Sequence, residues 1–272
     1  MANAKLGWNQ EGNWAPPLVY VIFALIAPIS GVMMLVFMYL VVKGDATQPD
    51  FLAFLLAGSA MFLFIRLVLT GAGFAVVEDR EHYKMLRYVY ITPTPFAVLI
   101  AGRIGIKLLI AMVGMVATIL AGHFFLNVPL RTDGVLWAQF IGSLFLGLIG
   151  LGGMGIMLAS MMLLVDRMGW IWAEGVAGLL FLTSGAIIPL SFLPAPMAFI
   201  SQFLPMTYWA DIWRLSLYGD FSTLAQPEMA VSVMWSRMAI LTVAWCAMSY
   251  LGYKKADAMA RRSGKVEQET FY

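Results

Sequence analysis

From Val135 to Val165 the chain runs 31 residues without one charged side chain, and from Leu18 to Val42 it runs 25. A helix of about 20 apolar residues already crosses the hydrocarbon core of a bilayer. A water-soluble fold of this size has no interior that could hide several such runs. Composition agrees: 61% of residues are hydrophobic and 12% charged, with a mean hydropathy of +0.84. A soluble domain carries roughly 25% charged residues. Lipid is therefore the main solvent, and the expected fold class is an all-α integral membrane protein, because helices satisfy their own backbone in hydrocarbon. A net charge of +2 gives no reason to expect a nucleic-acid partner.

Six transmembrane helices follow from the pattern. They are expected at Leu18–Val42, Phe51–Val77, about Ile104–Leu126, Val135–Val165, about Met168–Leu190 and about Val233–Tyr253. The whole of 1–272 reads as one membrane domain, with an interfacial N-terminal segment over 1–17 and a charged tail over 254–272. The first apolar run is too long for a signal h-region and lacks a small-residue cleavage site after it, so it is expected to stay in the membrane. After the fifth span, Pro189, Pro194, Pro196 and Pro205 exclude one straight helix. Two short half-buried helices, Ala195–Phe203 and Tyr208–Tyr218, are expected instead.

Lysines and arginines set the orientation. One side of a six-span plan collects 12 of them: Lys5, Arg80, Lys84, Arg87, Arg103, Lys107, Arg167, Lys254, Lys255, Arg261, Arg262 and Lys265. The other side holds 4, namely Lys43, Arg131, Arg214 and Arg237. The richer side is expected in the cytoplasm, with both termini and the loop between spans 2 and 3, in a multi-pass protein of the cell (inner or plasma) membrane.

Enzyme signatures are missing. The chain has no Gly-x-x-x-x-Gly-Lys-Ser/Thr phosphate loop and no His-Glu-x-x-His motif, and His82 and His123 are expected at opposite ends of the membrane. No catalytic, metal or cofactor residue is expected, and the lone Cys246 reads as a small packing residue. Two ionisable residues stand out inside spans. Arg66 lies deep in span 2, where an unpaired charge costs roughly 2.5–3.5 kcal/mol, so it should face protein or water. Glu174 lies about one turn inside span 5. Each reads either as a structural or boundary charge, or as part of a translocation path or subunit contact. The span-4 glycines Gly142, Gly147, Gly150, Gly152, Gly153 and Gly155 permit close helix approach.

The most polar internal stretch is Glu78-Asp79-Arg80-Glu81-His82-Tyr83-Lys84-Met85-Leu86-Arg87, ahead of Thr92-Pro93. It reads as a short amphipathic helix on the cytoplasmic surface, either a plain connector or a docking element. This stretch, with Gly102-Arg103 opening the third span, resembles the coupling segment of type-2 ABC transporter permeases. A second match runs from Ser184 through Pro189 and Pro194 to Leu204-Pro205-Met206-Thr207-Tyr208 and Arg214. It is similar to the segment after span five of that family, where short re-entrant helices sit near the outer leaflet. Two features depart from the family pattern: Tyr83-Lys84-Met85-Leu86 replaces the usual Gly-Thr-Leu-Glu, and the helix before the first span is short and weakly charged.

The resemblance implies an exporter subunit that pairs with a second permease copy, in a homo- or heterodimer, and with cytoplasmic ABC ATPases. ATP and Mg would be held by that ATPase and no cofactor by this chain, which would not itself be an enzyme. Residues 78–87 would couple the two, membrane lipids would surround the pair, and the substrate would be hydrophobic or amphipathic. A non-transporting membrane scaffold or assembly factor, and a secondary transporter, are the alternatives.

Overall fold

The computed structural model describes residues 16, 19, 22, 26, 30, 31, 33, 34, 36–41, 49–84, 90, 91, 95–128, 130, 131, 135–165, 169–219, 226 and 228–263. All regular structure among them is helical. In chain order the helices are α1 (Pro49–Val77), continued by a π-helical turn Glu78–His82; α2 (Phe96–Leu126); α3 (Trp137–Met162); and α4 (Gly169–Thr183). A 3₁₀ turn, Leu190–Phe192, leads into α5 (Ala195–Ser201), α6 (Pro205–Tyr218) and α7 (Val231–Ser263).

Four helices are long and apolar enough to cross a membrane: Asp50–Glu81, Phe96–Leu126, Trp137–Met162 and Val231–Ser263. They coincide with expected spans 2, 3, 4 and 6. Span 1 falls mostly outside the described residues, although those described between 19 and 41 are helical, and Val36 and Tyr39 pack on Leu52 and Leu56 of α1. Span 5 is shorter than expected. Its helix, α4, has 15 residues, about 22 Å of rise against the ~30 Å hydrocarbon core. The helix stops because Gly185 adopts a left-handed φ of 70° and Pro189 removes a donor just beyond.

α1 is the centre of the bundle. Of its candidate span 78% is buried, against 17% for that of α7. It contacts α2, α3, α4 and α6. The core around it holds Phe64, Ile65, Val68 and Leu69 of α1, with Ile100 and Ile104 of α2 and Leu151 and Leu158 of α3.

The region after α4 forms short helices, as the prolines require. Pro194 precedes α5 and Pro205 opens α6 at its first turn, where the missing N–H costs nothing. α6 is buried along almost its whole length and wedges between α3, α7 and α1. Trp209 lies directly on Gly147 of α3, where a Cβ would overlap the indole. Trp213 meets Phe140 edge-on, 5.1 Å between ring centroids, and Phe64 contacts both tryptophans. All the α3 glycines but Gly152 meet a neighbour in this way. Gly142 abuts Trp235, Gly150 abuts Thr242 and Pro205, and Gly153 abuts Cys246.

Candidate functional site

The polar residues that begin the 78–87 stretch gather at one end of the bundle. The expectation was a separate helix on the surface. Instead α1 runs on through the π turn Glu78–His82 and stops at Tyr83 and Lys84, the latter at φ 51°. Met85, Leu86 and Arg87 lie outside the described residues, as does the His82 side chain.

Two arginines tie this turn to neighbouring helices. Arg103, in the second turn of α2, is 5% exposed. It donates to the Ala75 carbonyl (2.9 Å) and to Glu78 Oε2 (2.8 Å), and its Nη1 lies 2.8 Å from Asp79 Oδ1. Arg80, 4% exposed, donates to the Val165 carbonyl (2.7 Å) and the Met162 carbonyl (3.5 Å) just past α3, and to Glu81 Oε1 (3.1 Å). A helix leaves its last four carbonyls unpaired, and a guanidinium there satisfies them and complements the dipole. α2 begins at Phe96, two turns earlier than expected. Arg103 can sit inside this apolar helix because two carboxylates from the α1 turn neutralise it.

Asp79 and Arg80 therefore correct the expectation of a continuous docking face. Both are buried within the bundle. What remains exposed at this end is Glu78, 43% by its side chain, together with Tyr83 and Lys84. Glu81 is half-buried.

Tyr90 attaches the same end to α7. Its ring stacks on Phe96 and lies 4.7 Å from the Arg261 guanidinium, which is itself paired with Asp257 at 3.0 Å. Burial, and next the nearby Asp257 carboxylate, push the Tyr90 hydroxyl well above its ordinary pKa of 10.0. Nothing in the sequence flagged this contact, since its partners lie far apart along the chain.

The opposite end is clamped by Arg214 of α6, which is fully buried. It donates to Asp211 Oδ1 (3.0 Å), the Gly185 carbonyl (3.1 Å), the Ala186 carbonyl (2.6 Å) and the Phe54 carbonyl (3.5 Å), and lies 3.6 Å over the Phe54 ring. Asp211 Oδ2 accepts from the Gln226 backbone. One side chain thus joins α6, the 184–189 segment and α1. The approach is close enough that a Cβ on Gly58 would overlap the Ala186 carbonyl oxygen. Pro189, Pro194, Pro205 and Tyr208 all lie in this region; Tyr208 donates to the Gln202 carbonyl at 3.1 Å.

Arg66 and Glu174 are exposed, on α1 and α4. These helices run antiparallel, with Gly73 on Ala173 and Phe62 on Phe181. Among the described residues the two charges do not pair with each other. No group of His, Cys, Asp and Glu among those residues could hold a metal ion.

The apolar spans accord with a family comparison. The profile of the ABC-2 type transporter family matches residues 11–218, which takes in α1 through α6. The chain belongs to that family, and it is a multi-pass membrane permease of the ABC transporter class. No curated protein matches the chain.

Proposed function

We propose that this chain is the membrane subunit of an ATP-driven exporter, moved by a separate cytoplasmic ABC ATPase that holds the ATP and Mg. The observation that carries the reading is the bracing of the α1 turn. Force applied to this turn reaches α2 through Arg103 and the end of α3 through Arg80. The 12-to-4 excess of lysine and arginine supports assigning this end, and both termini, to the cytoplasm of a cell-membrane protein. Residues 78–87 remain the coupling segment in this reading, but with Asp79 and Arg80 as internal braces and Glu78, Tyr83 and Lys84 as the contact. A second permease copy completes the pathway, and Arg66 and Glu174 are the charges that would face it or the substrate path. The substrate class is a hydrophobic or amphipathic molecule taken from the cytoplasm or inner leaflet.

The test is co-purification of the ATPase with a Tyr83→Ala, Lys84→Glu double variant. The variant inserts and stays monodisperse, because neither residue is buried, yet it loses most of the bound ATPase and its stimulated hydrolysis. Wild-type recovery of the ATPase on that variant would sink the docking assignment.

A further inference from the structure

We infer that the outer end of α7 carries a binding site for the phosphate headgroup of an amphiphile, centred on Arg237. The inference does not depend on the ATPase reading. A notch of about 260 Å³ opens between the α5–α6 corner and α7, lined by Gln202, Phe203, Tyr208, Arg237, Ile240 and Leu241. Arg237 lies at the end of α7 opposite Tyr90, Asp257 and Arg261. Its guanidinium is exposed and unpaired by any carboxylate among the described residues, unlike those of Arg80, Arg103, Arg214 and Arg261.

The cation is nonetheless held in place. Tyr208, itself 1% exposed, spends its proton on the Gln202 carbonyl (3.1 Å) and so presents only lone pairs to Arg237 Nη1, which donates to it at 3.3 Å. The guanidinium also sits 5.9 Å from the Tyr208 ring centroid. An arginine has five N–H donors in a planar fork, and one hydrogen bond to Tyr208 leaves the rest for an oxyanion.

The surroundings select for an anion that carries an apolar chain. Toward the bundle centre α7 presents Ile240, 67% exposed, to the same notch as Phe203, 52% exposed, whose ring meets Phe199 at 5.1 Å. Trp245 donates to the Phe203 carbonyl at 2.9 Å and so fixes that corner against α7. Head cation and tail surface are thus adjacent along one helix: a free phosphate would use only the first, and an uncharged lipid only the second. The notch is too small for a folded partner. Such a ligand has two possible sources, a resident membrane phospholipid or a transported phosphate-bearing amphiphile.

The test is native mass spectrometry of the full chain released from nanodiscs of phosphatidylcholine containing phosphatidylglycerol. Wild type should retain phosphatidylglycerol; Arg237→Gln should retain about tenfold less, the loss of a charge-assisted contact; Arg237→Lys should fall between. Arg262→Gln, at the other end of α7, should behave as wild type. Equal retention by wild type and Arg237→Gln would overturn the site, as would equal loss in Arg262→Gln. Applied to protein taken directly from cells, the mass of the released ligand separates the sources: a bulk phospholipid means a resident lipid, and any other phosphate amphiphile means cargo.

Discussion

Replacing Arg214 with Leu removes the guanidinium that pairs with Asp211 at 3.0 Å and satisfies the carbonyls of Gly185 and Ala186. Asp211 is only 1% exposed, so the single variant takes the paired guanidinium from a buried carboxylate. Breaking a buried pair in this way costs about 3–5 kcal/mol. For a chain of this size that corresponds to a thermal shift of roughly 10 °C. The double variant Arg214→Leu, Asp211→Leu removes both charges together. It should recover at least half of the loss, because apolar replacement of a whole buried pair is often nearly neutral. Trp209 and Trp213, packed against Phe64, give an intrinsic fluorescence readout of the same region. Melting wild type, both single variants and the double variant in one detergent closes the cycle. If Arg214→Leu melted within a degree or two of wild type, or if the double variant were no better than the single, the clamp would carry no energy and the reasoning would fail.

Other outcomes follow from the same contacts. Gly58→Ala should destabilise more than Gly105→Ala, since the first Cβ overlaps the Ala186 carbonyl and the second meets nothing within 4 Å; thermal melts compare them directly. Gly147→Val should displace Trp209 and shift its emission, whereas Gly152→Val on the same helix, facing open space, should not. The Tyr90 hydroxyl is held neutral above its ordinary 10.0, so its contribution is complete below pH 10 and is lost as pH climbs past it. Tyr90→Phe should flatten that alkaline decline in a pH series of melts. Arg66→Leu should lower self-association in detergent while raising the melting temperature of the monomer, because an exposed arginine on an apolar helix costs roughly 2.5–3.5 kcal/mol in hydrocarbon unless something covers it. Crosslinking and melts read the two effects separately.

Spans 2, 3, 4 and 6 were legible because a long apolar run with at most one charge has one physical solution in lipid. The short helices were legible because proline fixes where a helix can begin, and Pro194 and Pro205 stand at the starts of α5 and α6. The fate of the charges was not. Glu78, Asp79 and Arg80 look like a solvated run in sequence, yet the partners that bury two of them are 24 to 85 residues away, at Arg103, Met162 and Val165. Hydrophobic periodicity is local and ion pairing of this kind is not. Arg103 shows the converse: it looks like a reason to start the helix after residue 103, and becomes a reason to start it before, once Glu78 and Asp79 are placed against it. The resemblance pointed to Arg214, but only the geometry revealed what it holds.

The two ends of the bundle are fastened by the same chemistry in different surroundings. Arg214 satisfies backbone carbonyls and pairs with Asp211 where both side chains are buried. Arg80 and Arg103 also take carbonyls, but their carboxylates include Glu78, which is 43% exposed. A partner that draws Glu78 away leaves Arg103 still held by Asp79 and the Ala75 carbonyl. Release at that end is therefore partial, while release at the other end separates a fully buried guanidinium from a carboxylate that is 1% exposed. In the proposed coupling, load at the charged end is taken up first by Glu78, while α6 and the 184–189 segment stay fixed to α1 through Arg214.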